Sequence, residues 1–100
     1  MHVIDFDWDG GNRAKCHKHG VSIEEIEAFF LAGPKVAPSQ SYAGPEERFI
    51  AVGRNDSGRP MFVAFTFRVR GGRTLIRPIS ARYMHGKEIE RYETSSKDDD

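Results

Sequence analysis

The strongest constraint on the fold lies in residues 61–82, MFVAFTFRVRGGRTLIRPISAR. Met61, Val63, Phe65, Phe67 and Val69 share one parity, while Phe62, Ala64, Thr66, Arg68 and Arg70 share the other. A period of two is that of a strand with one buried face. Gly71-Gly72 supplies two residues that tolerate positive φ, as a two-residue hairpin turn demands. Residues 74–82 then return as a second strand. The expectation is an antiparallel hairpin with an apolar underside and an upper side studded with guanidinium groups.

The charge pattern sharpens this reading. Formal net charge is zero, which by itself argues against a nucleic-acid binder. Yet residues 48–82 hold eight arginines (48, 54, 59, 68, 70, 73, 77 and 82), no lysine and a single acid, Asp56. Arginine without lysine suits bidentate phosphate contact better than mere solubility. The balancing acids sit in residues 24–27 and 98–100. With 38% hydrophobic residues the chain is a folding sequence, and 100 residues make one domain. No apolar run approaches the ~18 residues of a membrane span. A lone Cys16 and no visible secretion signal fit a reducing cytoplasm.

Around the hairpin, residues 2–6 alternate like a short edge strand. Asp9 is placed to cap a helix over 11–18, which Gly20 ends in the left-handed region. Ser22-Ile23-Glu24-Glu25 reads as a capping box opening a second helix, with Val21 and Ile26 as its hydrophobic staple. Ile23, Ile26, Phe29 and Phe30 form its apolar stripe, and Gly33-Pro34 stops it. Residues 35–40 suit an edge strand, residues 47–54 a strand, and Asn55-Asp56-Ser57-Gly58 a turn. Pro78 inside the last strand requires an edge position or a bulge, which leaves the face carrying Arg77 open. Ser80 and Arg82 share one face. A helical turn or two follows over 85–92. The expected fold is α+β: a small antiparallel sheet, two N-terminal helices packed on one face and a short C-terminal helix. One domain spans 1–94, and 95–100 forms an acidic polar tail.

Cys16, His17 and His19 are too compact for a structural zinc site, and no second ligand pair follows, so no metal is expected. Cys16 next to His17 on a helix is no catalytic pair, because adjacent side chains point about 100° apart. The chemistry that remains needs no cofactor. RNA carries its own nucleophile, the 2′-hydroxyl. A protein need only remove that proton, neutralise charge on the phosphorus oxygens and protonate the leaving 5′-oxygen. A carboxylate or a histidine can serve as base. Glu46 and Glu47 beside Arg48, Lys18 and His19, and Arg68, Arg77 and Arg82 supply the parts, and Trp8 or Tyr42 could stack on a base.

The ordered set Asp7-Trp8-Asp9, Asn12-Arg13-Ala14-Lys15, Lys18-His19-Gly20-Val21-Ser22, Glu46-Glu47-Arg48-Phe49, Phe65-Thr66-Phe67-Arg68, Ile79-Ser80-Ala81-Arg82 and Glu90-Arg91-Tyr92 resembles the BrnT family of type II toxin–antitoxin toxins. The resemblance covers roughly residues 4–93. It implies a RelE-like fold and a metal-independent RNA endonuclease that arrests growth. It also implies a ribbon-helix-helix antitoxin that neutralises the toxin in a hetero-oligomer, such as a heterotetramer, and carries it to operator DNA. By the same resemblance, Glu47, Arg48, Arg68, Arg77, Arg82 and His19 take catalytic roles, with Glu47 the foremost base. Trp8 and Lys18 contact substrate, joined by Ser80 and Arg70 on the basic face. The alternative reading is a non-catalytic RNA-binding or partner-binding module on the same fold.

Overall fold

The structure, a computed structural model, describes residues 4–39 and 44–98. Helices α1 (Gly10–His17) and α2 (Ile23–Leu31) lead into strands β1 (Lys35–Pro38), β2 (Phe49–Arg54), β3 (Pro60–Arg70) and β4 (Arg73–Tyr83), and α3 (Gly86–Asp98) follows. The strands form one antiparallel meander in the order β1-β2-β3-β4. This is the expected α+β class. Residues 40–43, including Tyr42, and Asp99 and Asp100 of the expected tail lie outside the described residues.

Helices α1 and α2 open as their cap residues dictate. Asp9 accepts from the backbone N–H groups of Gly11 and Asn12, and Asn12 Oδ1 accepts from Asp9 N in return. Gly20 follows at φ +85, a backbone that L side chains rarely adopt. Ser22 caps α2 by accepting from Glu25 N at 3.1 Å. The reciprocal half of the expected capping box does not form. Glu25 turns instead to Tyr83 Oη at 2.8 Å and Asn55 Nδ2 at 2.8 Å, partners that only the folded sheet and its β2–β3 turn bring near.

The central hairpin turns through Gly71 (φ +59) and Gly72 (φ +79), as the type I′ geometry requires. Its underside packs on α1 and α2. Met61, Val63, Phe65 and Ala81 meet Cys16, Val21, Ile26, Phe29 and Phe30 in one buried cluster. The apolar underside is shorter than the alternation predicts, because Phe67 is 44% exposed and Val69 71% exposed. Eleven strand residues reach roughly 35 Å, whereas the nine residues of α2 cover roughly 13 Å. The hairpin tip therefore outruns its cover.

Of the expected first strand, the described part contributes a single parallel bridge, Phe6 to Ile76, along the outer edge of β4. Ile76 N donates to Asp5 O at 2.9 Å and Asp7 N to Ile76 O at 2.8 Å. The next rungs of such a ladder would run from residue 78 N to Asp7 O and from Asp9 N to residue 78 O. Pro78 has no N–H, so the ladder cannot continue. The Asn12 side chain takes its place. Its Nδ2 donates to Asp7 O at 2.9 Å and to Pro78 O at 2.8 Å, and its Oδ1 accepts from Asp9 N at 2.7 Å. Asn12 is 4% exposed and uses its amide fully, tying α1 to β4.

The expected bulge is present. Ala64 pairs with Ser80 and Phe65 with Pro78, so Ile79 has no opposite residue. On the face away from α1 and α2, Val52 and Phe62 pack against Met84, Ile89 and Tyr92. Ile89 and Tyr92 stand three apart and share one side of α3. This helix has 13 residues and is longer than the turn or two expected.

Candidate active site on the arginine face

The bulge decides which arginines act together. β3 presents Phe62, Ala64, Thr66, Arg68 and Arg70 on the face away from α1 and α2. Register pairs Arg77 with Thr66, Ser80 with Ala64 and Arg82 with Phe62. Without the extra residue, Arg77 would fall on the opposite face from Ser80 and Arg82, because one step of register reverses every side chain. One inserted residue gathers the set.

At one end of this face lies a cleft of about 230 Å³. Gly11, Asn12 and Lys15 line it from α1, Glu46 and Arg48 from the approach to β2, Arg68 from β3, and Arg77 and Ile79 from β4. Four cations thus surround one carboxylate. Glu46 pairs with Arg68 through Oε2, and its Oε1 stands 3.9 Å from Arg48 Nε. Arg77 is only 17% exposed along its side chain and is braced from behind, 3.3 Å from Asp7 Oδ2 and 2.9 Å from Asp9 Oδ2. Asp9 therefore does two jobs, capping α1 with Oδ1 and holding Arg77 with Oδ2. The Asn12 N–H and then Arg77 hold its carboxyl below the usual value. Arg70 reaches the same Asp7 carboxylate at 3.2 Å but is mostly exposed.

The other end of the face is closed. Arg82 makes a two-pronged contact with Glu88, at 3.1 and 2.8 Å, and lies 4.6 Å above the Phe62 ring. That contact holds Glu88 below the usual carboxylate range and raises Arg82. Arg54 grips Glu93 in the same way, at 3.1 Å twice. Ser80 lies half-buried between the two ends.

The expected site residues are accordingly divided. Arg48, Arg68 and Arg77 meet in the cleft, Arg70 flanks it through Asp7, and Arg82 is engaged by α3. Glu47 is exposed; its backbone O accepts from Thr66 Oγ1 at 2.7 Å, and it lines a second, more open hollow with Pro38, Ser39, Pro45, Glu46 and Arg48. Lys18 and His19 are exposed in the turn after α1, at the other end of that helix from Gly11 and Asn12. Trp8 packs against the core and donates Nε1–H to Glu27 at 2.9 Å. Cys16 is a core thiol, pushed up to about 11 by burial. Lys15 and Asn12 are cleft residues that the sequence reading gave no role. A proline inside a strand, which needs its lost rung replaced, is the signal that points to Asn12.

Fold and cleft together define a small α+β domain with a cleft lined by Lys15, Arg48, Arg68 and Arg77. Among protein families, residues 8–88 match BrnT, the ribonuclease toxin of a type II toxin-antitoxin system. The chain belongs to this family of ribonuclease toxins, and a type II toxin has a protein antitoxin as its partner. No curated protein matches the chain. No helix among the described residues is long and apolar enough to cross a membrane.

Proposed function

We propose that the protein cleaves cellular RNA without a metal ion, through in-line attack of a ribose 2′-hydroxyl on the neighbouring phosphate. The convergence of Arg48, Arg68, Arg77 and Lys15 around one cleft carries this reading. Guanidinium groups fixed before substrate arrives stabilise the charge that grows on the phosphorus oxygens, and they need no reorganisation at the moment of reaction. Arg77, braced by two carboxylates, is the most firmly held of them. Cleavage of cytoplasmic RNA arrests translation and growth until a ribbon-helix-helix antitoxin covers the toxin in a hetero-oligomer that binds operator DNA through the antitoxin.

The test is purified protein with end-labelled single-stranded RNA in EDTA. The expected products carry 2′,3′-cyclic phosphate and 5′-hydroxyl ends. A requirement for Mg²⁺, or 5′-phosphate products, overturns the mechanism. The ion pairs that already engage Arg68 and Arg77 favour a second reading, a non-catalytic RNA-binding module. RNA binding that weakens steeply with salt, with no scission at any protein concentration, would select it.

A further inference from the structure

We infer that Glu46 is the catalytic base, the group that takes the proton from the attacking 2′-hydroxyl. The inference rests on the ribonuclease reading above and names a residue in its site. The constraint is geometric. In a near-attack arrangement the nucleophilic oxygen lies about 3–3.5 Å from phosphorus, and a base must come within about 2.6–3.2 Å of the hydroxyl it deprotonates. The base is therefore an immediate neighbour of whatever cations hold the phosphate.

Glu46 meets that condition. Its Oε2 touches Arg68, and Oε1 stands 3.9 Å from Arg48 Nε, beyond hydrogen-bond length and able to accept from a ribose hydroxyl. The carboxylate is 27% exposed at its side chain, enough for substrate to reach it. Glu46 lines the cleft together with Arg48, Arg68 and Arg77, and Glu47 does not. Glu47 lines a neighbouring hollow with Glu46 and Arg48, but it is exposed, the Thr66 hydroxyl holds its carbonyl, and it does not line the cleft where Arg68 and Arg77 stand.

In the step itself, Glu46 Oε1 takes the 2′-hydroxyl proton as the 2′-oxygen bonds to phosphorus. The bond from phosphorus to the 5′-oxygen breaks, and the departing oxygen takes a proton from water. Glu46 then returns its own proton to solvent. The products are a 2′,3′-cyclic phosphate and a 5′-hydroxyl, with no water consumed overall.

The experiment compares wild type, Glu46→Gln, Glu46→Asp and Glu47→Gln on a single-stranded RNA in EDTA. Binding is measured on the same RNA with 2′-deoxyribose at the cleaved position. Glu46→Gln keeps shape and hydrogen bonding but cannot take a proton. It is expected to lower kcat by about 10²–10⁴-fold, with affinity for the deoxy analogue and the melting transition unchanged and the acid limb of the kcat profile lost. Glu46→Asp, one methylene shorter, recovers part of the activity. The assignment is overturned if Glu46→Gln keeps more than a tenth of wild-type kcat, or if it loses binding in proportion to rate. A loss in Glu47→Gln as large as that in Glu46→Gln overturns it too. If wild type itself cleaves no RNA, the ribonuclease reading has failed, and this assignment falls with it.

Discussion

The two ends of the arginine face use one residue type for opposite purposes. At the closed end, Arg54 and Arg82 are each clamped by one carboxylate of α3, over the apolar seam of Val52, Phe62, Ile89 and Tyr92. At the open end, Arg48, Arg68 and Arg77 converge on a cleft, and their carboxylates brace them from the sides and rear. The first set fastens a helix to a sheet. The second leaves a concavity that an anion can enter. An arginine's job is thus set by whether its partner carboxylate covers it or steadies it.

The largest effect expected of this division is on stability at the closed end. Ile89 is fully buried, and Ile89→Ala should cost about 2–5 kcal/mol, read by denaturant unfolding, while cleavage per folded molecule holds. A parallel collapse of activity in the folded fraction would show that α3 belongs to the site.

Next comes the open end. Arg68→Ala should reduce kcat by about 10²–10³-fold, some 2.7–4 kcal/mol of transition-state stabilisation. Its stability should change by less than about 1 kcal/mol, because the Arg68–Glu46 pair is partly exposed. Full activity in this variant would empty the cleft of its role.

Arg82→Ala sharpens the contrast, because the family resemblance gives this residue a catalytic part. Its capture by Glu88 predicts less than about a tenfold loss of cleavage. A loss matching that of Arg68→Ala would mean that Arg82 exchanges Glu88 for RNA during the reaction.

The smallest effect is on pH dependence. Glu88 is held below its ordinary value of 4.5, first by the hydrogen bonds from Arg82. A depressed carboxyl adds stability above the unfolded value of 4.5, and that stability is lost as pH falls through the lower folded value. Acid unfolding of Glu88→Gln should therefore lack this part of the slope, and an unchanged curve would discount the contact.

Much of the fold was legible because local rules agreed with global packing. The alternation of residues 61–65, the glycine pair at the turn and the caps at Asp9 and Ser22 each answer to near neighbours. Glu25 shows where such reading stops. Its box partner lies three residues away, but Tyr83 and Asn55, distant in sequence, outcompete it. The same limit blurred the site. Eight arginines pointed to a basic face, yet nothing in their spacing tells that Arg82 meets Glu88 or that Glu46 and not Glu47 enters the cleft. That distinction depends on how the approach to β2 turns, which distant contacts set.

The Asn12 amide at the edge of β4 couples positions 12 and 78, although they lie 66 apart in sequence. An ordinary residue at 78 would restore an N–H aimed at Asp7 O, and the Asn12 side chain would become a duplicate. Losing Asn12 while Pro78 remains leaves backbone groups of Asp7, Pro78 and Asp9 without these contacts. The order of substitution therefore matters: Asn12 lets position 78 be a proline, and Asn12 can be given up only after Pro78 is replaced. Any path through this corner of the fold, in either direction, must keep Asn12 for as long as Pro78 is present.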